Sequence, residues 1–179
     1  MAESLPDRAQ RFAEKAHAGQ KRKYTGAPYV VHPGRVAQRV AGLGLPETAV
    51  AAAWLHDTVE DCGVSIEALR SEFGGEVAGL VDHLTNRSKG LGLHRAARKK
   101  MDRERLSRIP MVARIIKAVD RLDNLGDLAT GDPAFRRMYA SESVALADAL
   151  AGETEGTAAE KALLAGLIVE MRKKAAEAM

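Results

Sequence analysis

The stretch Ala49-Val50-Ala51-Ala52-Ala53-Trp54-Leu55-His56-Asp57-Thr58-Val59-Glu60-Asp61 decides the reading of this chain. Its first seven residues are apolar almost all round. A helix without a polar stripe has no side to give to water and belongs inside. Ionisable side chains then arrive at once. On one continuous helix from Glu47 to about Asp61, with His56 at zero, Asp57 falls at about 100°, Glu60 at about 40° and Asp61 at about 140°. All four face one arc at the end of a buried segment. Such groups are costly there unless something compensates, and a divalent cation does so. The two acids also oppose the dipole at a helix C-terminus, a misplacement that points to a chemical role.

Partners for this cluster lie on both sides of it. His32-Pro33 opens a helix running to about Gly42, with Val36 and Val40 on one face. Pro110 opens another, to about Leu128. On it Asp120, Asn124 and Asp127 share a side opposite Ile115, Val119, Leu122 and Leu125. Taken alone that is an amphipathic helix with a polar face. Taken with His32, His56 and Asp57, Asp120 is the fourth donor of a metal site. Two imidazoles and two carboxylates suit Mn, Fe, Co or Zn better than Mg. A metal so held polarises water, and Glu60 and Asp61 lie where a base or proton donor is useful. An anionic substrate needs cations beside so many acids. Lys21-Arg22-Lys23 precede His32 by about ten residues, and Arg98 and Lys99 are further candidates. Tyr24 or Tyr139 can stack on a base. His17, His83 and His94 lack such a pattern and read as surface or packing residues.

The remaining sequence is helical punctuation. Helices are expected over Leu5 to Ala18, Ile66 to Phe73 after a Ser65 cap, Glu76 to Thr85, His94 to Arg108, and Asp132-Pro133 to about Leu150. Residues 86–93 read as a mobile loop and residues 151–156 as a linker. Thr157 with Glu160 forms a capping box for a final helix over about 157–177. No alternating strand pattern occurs. The expectation is an all-α single domain over residues 1–179, with about eight to ten helices and a core over about 5–150.

Composition narrows the partners. The net charge of +3 is too small to argue for nucleic acid, and the few aromatics do not interleave with the basic clusters. No window approaches the roughly 18 apolar residues of a membrane span. The polar start lacks the pattern of a signal peptide. Cys62 is the single cysteine, read as a small, partly buried apolar residue, and it fits a reducing compartment. The expected setting is cytoplasmic, with a small molecule as the partner.

Three motifs resemble one family. Arg22-Lys23-Tyr24-Thr25-Gly26-Ala27-Pro28-Tyr29-Val30-Val31-His32-Pro33 is similar to the RK-x-G-x-PY-x-x-HP segment of RelA/SpoT-type hydrolase domains. Trp54 to Asp61 resembles their LHD-x-x-ED segment. Ile116-Lys117-Ala118-Val119-Asp120-Arg121-Leu122-Asp123-Asn124-Leu125 resembles their VKLADRL-x-N segment. The chain looks like a stand-alone small alarmone hydrolase of the metazoan SpoT-like kind. The resemblance implies an HD-type helical bundle and a Mn²⁺-dependent removal of the 3′-pyrophosphate from ppGpp or pppGpp. It also implies His32, His56, Asp57 and Asp120 as metal ligands, and Glu60 and Asp61 as the catalytic acids. Arg22, Lys23, Arg98, Asn124 and Tyr139 are then the substrate contacts. Asp123 stands where the family often has His or Tyr. Two alternatives remain open: an HD-type phosphatase of another phosphorylated nucleotide such as NADPH, and a non-catalytic nucleotide-sensing module.

Overall fold

The computed structural model describes residues 3–179, and of residues 129 and 130 the backbone alone. Among these residues it contains ten α-helices, one 3-10 turn and one isolated antiparallel bridge between Lys21 and Pro28. The chain divides into two compact units, one ending at Thr85 and the other beginning at Asn86. The all-helical expectation holds. None of the described helices is long and apolar enough to cross a membrane.

The first unit holds α1 (Leu5–Ala16), α2 (Val31–Gly42), α3 (Glu47–Leu55), α4 (Thr58–Cys62), α5 (Ile66–Phe73) and α6 (Gly75–Leu84). Its centre is α3, which packs against α1, α2 and α6. Ala49, Ala51, Ala52, Ala53 and Leu55 are wholly buried. Alanine at these positions lets three neighbours approach one helix closely. Gly34 of α2 takes this to its limit, facing the indole of Trp54. Capping follows the sequence: the side chain of Ser4 accepts from Asp7 N–H, and that of Ser65 from Ala68 N–H.

One expectation fails here, and the failure matters. The continuous helix from Glu47 to Asp61 does not form. α3 ends at Leu55, His56 and Asp57 form a turn, and α4 starts afresh at Thr58. Side chains meet carbonyls at the break: His56 Nδ1 donates to the carbonyl of Ala53 at 2.8 Å, and Thr58 Oγ1 to that of Leu55 at 2.8 Å. Gly63 then closes α4 with φ of 70°, a left-handed value that suits glycine. Glu60 and Asp61 therefore lie in the first turn of a new helix, where negative charge is favoured. The two acids are not misplaced at a helix end.

The second unit holds α7 (Arg95–Leu106), α8 (Met111–Gly126), the 3-10 turn (Asp127–Thr130), α9 (Pro133–Leu150) and α10 (Ala158–Ala178). α10 packs along α8 and α9 and opens on the expected capping box, with Thr157 and Glu160 bonded reciprocally. α8 is buried nearly all round, including Arg114, Lys117, Asp120 and Arg121, so its polar side is not a solvated face. The Arg114 guanidinium, 1 % exposed, donates to the carbonyls of Ser107, Ile109, Leu150 and Gly152 at 2.5–3.0 Å. Burial pushes its pKa below the usual arginine value. Loop 86–93 is anchored: Ser88 is buried and donates to the buried Asp102 at 2.7 Å. Ser143 is wholly buried and donates to the Tyr139 carbonyl at 2.7 Å.

Candidate metal centre

The break between α3 and α4 builds the centre. A carbonyl only accepts, so the bond to Ala53 puts the proton of neutral His56 on Nδ1 and leaves a lone pair on Nε2. His32, in the first turn of α2 and wholly buried, presents its Nε2 at 3.2 Å from that atom. The Asp57 Oδ2 lies 3.2 Å from His56 Nε2 and 3.6 Å from His32 Nε2. These three side chains form a group able to hold a metal ion, its donor atoms all within 4.8 Å of one another. Two imidazole nitrogens and a carboxylate oxygen aimed at one small volume fit a divalent ion with mixed nitrogen and oxygen ligation. A positive charge there also relieves the crowding of lone pairs. The residues present fit the group that the sequence implies.

Around these three stand residues the sequence reading left out. The hydroxyl of Tyr29 donates to Asp57 Oδ2 at 2.7 Å and lies 3.2 Å from Asp61 Oδ2. His17, which read as a surface or packing residue, is buried and stacks on Tyr29 at 4.8 Å with 27° between the rings. Its Nδ1 is 2.8 Å from Gln20 Oε1, and Gln20 Nε2 donates to the Asp61 carbonyl at 3.2 Å. Cys62 Sγ lies 3.2 Å from His17 Nδ1. Burial first, and then the Asp61 carboxylate, raises the Cys62 thiol pKa. The spacing His17-x-x-Gln20 and the aromatic Tyr29 were legible signals for this shell.

Arg22 and Lys23 of the loop separate. The Arg22 guanidinium sits over the Tyr29 ring at 5.4 Å, one side chain from Asp57. The Lys23 ammonium instead lies over Tyr24 at 5.4 Å. On α4, Glu60 is half-buried and Asp61 exposed.

In the second unit, both carboxylate oxygens of Asp120 are engaged. Lys117 Nζ donates to Oδ2 at 2.7 Å and Asn124 Nδ2 to Oδ1 at 2.6 Å. Asn124 therefore orients Asp120. Tyr139 has the Arg121 guanidinium over its ring at 4.5 Å, and burial raises its phenol pKa. Arg98 is half-buried on α7. Its neighbour Lys99 has a pKa below the usual lysine value, through burial first and then the charge of Arg121. Arg95 is paired with Glu142 through two bonds of 2.7 and 2.9 Å, so the basic stretch on α7 is not simply a solvated face.

An all-helical chain that gathers a histidine–aspartate pair and a second histidine at a helix break has the form of a helical domain with a candidate metal centre. The chain belongs to the HD domain family, whose model matches residues 9–156. It is 38% identical over 143 residues to a probable GTP pyrophosphokinase of Mycobacterium leprae, covering 79% of this chain and 18% of that protein. It is 36% identical over 139 residues to a guanosine-3′,5′-bis(diphosphate) 3′-pyrophosphohydrolase of Aquifex aeolicus, covering 76% of this chain and 20% of that one. The chain thus spans about a fifth of the length of these curated relatives. Among solved structures it is similar to one described as a metazoan ortholog of SpoT that hydrolyses ppGpp and plays a role in starvation responses. That likeness has a TM-score of 0.76 and 27% identity, and it covers 93% of this chain and 95% of the other. The RelA/SpoT resemblance carried by the three motifs agrees with these relatives.

Proposed function

We propose that this chain is a metal-dependent hydrolase that removes the 3′-pyrophosphate from guanosine 3′-diphosphate 5′-di- or triphosphate, giving GDP or GTP and pyrophosphate. The observation that carries the reading is the convergence of His32 Nε2, His56 Nε2 and Asp57 Oδ2 at a helix break. The full-length likeness to a SpoT ortholog that hydrolyses ppGpp supports the substrate. The family match runs through both units and supports one HD-type domain over residues 1–179.

His32, His56 and Asp57 hold the metal in this proposal, and Asp120 is the fourth ligand. The ion is Mn²⁺, with Zn, Fe or Co acceptable to the same donors. When bound, it polarises water and phosphoryl oxygen. Glu60 takes the proton of the attacking water, and Asp61 orients that water and handles the proton. Arg22 and Lys23 neutralise the phosphates. Arg98, Asn124 and Tyr139 meet the nucleotide, with Asn124 also steadying Asp120. A lone half-buried cysteine supports a cytoplasmic setting.

Incubation with ppGpp and, separately, NADPH at fixed Mn²⁺ tests the reading by product identification. GDP and pyrophosphate are expected, with ppGpp the faster substrate. Faster release of phosphate from NADPH would shift the assignment to that nucleotide. Nucleotide binding by metal-loaded protein without turnover would leave a sensing module. His56→Ala is expected to lose both metal retention and turnover.

A further inference from the structure

We propose that Tyr29 is the positioning residue of the metal centre. Its hydroxyl fixes the Asp57 carboxylate in its ligating orientation, and its ring seats Arg22. This rests on the metal-centre reading above.

Asp57 needs such a restraint. It lies on the turn between α3 and α4, with φ of −98° and ψ of −6°, and its side chain is partly exposed. Nothing in a turn by itself holds a carboxylate in one rotamer. The Tyr29 hydroxyl bonds the same oxygen, Oδ2, that faces both imidazoles. A carboxylate oxygen has two lone-pair directions, so a donor on one leaves the other aimed at the nitrogens. The hydroxyl has one proton and two acidic neighbours. The shorter contact, 2.7 Å to Asp57 against 3.2 Å to Asp61, shows which receives it.

The ring is itself braced. His17 stacks on it, and Gln20 secures His17. Tyr29 N–H donates to the Gln20 carbonyl at 2.9 Å, and Arg22 N–H to the Ala27 carbonyl at 2.8 Å. The loop that carries Arg22 is therefore closed on the same residues that fix the tyrosine. Arg22 over the ring completes the connection, so one side chain serves a metal ligand by its tip and a phosphate-binding cation by its face.

Two variants separate tip from face. Tyr29→Phe removes the hydroxyl and keeps the ring, whereas Tyr29→Leu removes both. The probe is Co²⁺, read by its visible absorption and its dissociation constant, beside steady-state hydrolysis of ppGpp. Tyr29→Phe should weaken Co²⁺ by about 10–100-fold and alter the absorption bands, as loss of a ligand's orienting partner does. Its KM for ppGpp should stay within about twofold of wild type, since the face that seats Arg22 persists. Tyr29→Leu should add a clear rise in KM. Wild-type Co²⁺ affinity and spectrum in Tyr29→Phe would overturn the proposal. Equal KM values in the two variants would overturn its second half. If Tyr29→Leu does not fold, Arg22→Met takes its place, with a raised KM and an unchanged Co²⁺ spectrum expected. Wild-type protein that takes up no Co²⁺ would instead overturn the metal-centre reading on which this one rests.

Discussion

Gly34→Ala is a one-methyl perturbation aimed at the distance between His32 and His56. Gly34 follows His32 by two residues on α2, and Trp54 precedes His56 by two on α3. A Cβ at Gly34 would stand 2.9 Å from Trp54 Cη2 and 3.2 Å from Cζ3. Carbon atoms rest at about 3.5–4.0 Å, so the shortfall is about 0.6–1.1 Å. The indole is rigid and must tilt whole, or the helices must part. Overpacking of this kind costs about 1–3 kcal/mol. Against it stands the gain of replacing glycine in a helix, about 1 kcal/mol. The net change in stability is therefore small, roughly 0–2 kcal/mol destabilising. Metal affinity is the sharper readout. The two ring nitrogens lie 3.2 Å apart, and metal–ligand distances tolerate only about 0.2 Å.

Gly79→Ala supplies the control. Gly79 lies inside α6, and a Cβ there meets nothing within 4 Å. It should stabilise by about 0.5–1 kcal/mol, through helix propensity and a less flexible unfolded chain. Urea melts of both variants then isolate the strain, expected as a difference of about 1–3 kcal/mol. Calorimetric titration with Mn²⁺ should show weaker binding for Gly34→Ala alone. If Gly34→Ala matches Gly79→Ala in stability and wild type in Mn²⁺ affinity, the reasoning about this helix crossing is wrong.

Three further outcomes follow from the same structure. Glu60→Gln should keep the metal, measured by elemental analysis, and lose roughly a hundredfold or more of turnover if Glu60 is the base; wild-type rates would remove it from the reaction. Arg114→Met should destabilise the protein by about 3 kcal/mol or more in a denaturant melt, because it strands several buried carbonyls at once; a loss under about 1 kcal/mol would show that those carbonyls find other partners. Lys99 has a pKa lowered from the usual 10.5, so the unfolded chain binds its proton more tightly than the folded one. Its charge then burdens the fold below the folded pKa, and that burden fades as pH rises to the unfolded value. Lys99→Gln should accordingly be more stable than wild type at pH 7, with the gap closing in the alkaline range; a gap that does not change with pH would contradict this.

Much of the architecture was legible because helix boundaries are local chemistry. Ser65 before Ile66, Asp132 before Pro133, and Thr157 with Glu160 each bond backbone groups within three residues, so the sequence names them without tertiary context. The three side chains of the candidate metal centre were legible for another reason: His32, His56 and Asp57 come with further acids beside a buried segment, where ionisable groups need compensation. Arg114 was not. Its acceptors lie on segments some 36–39 positions further along as well as nearby, and nothing short-range in the chain marks the carbonyls that await it.

The break after Leu55 shows the limit most clearly. By propensity Ala49 to Asp61 is one helix, and a continuous helix even sends its four ionisable groups to one side. The helix nevertheless breaks at His56 and Asp57. His56 Nδ1 turns back to the Ala53 carbonyl, and Thr58 Oγ1 takes that of Leu55, so the turn can form in a buried place without stranding those groups. The consequence is chemical as well as architectural. The turn frees the Asp57 side chain from helical spacing and lets its Oδ2 meet both imidazoles, beside the hydroxyl of Tyr29. It also starts α4, placing Glu60 and Asp61 where a helix start favours their charge. The same local departure from regular structure thus sets the reach of the Asp57 carboxylate and settles the acids, and neither follows from the periodicity that found the residues.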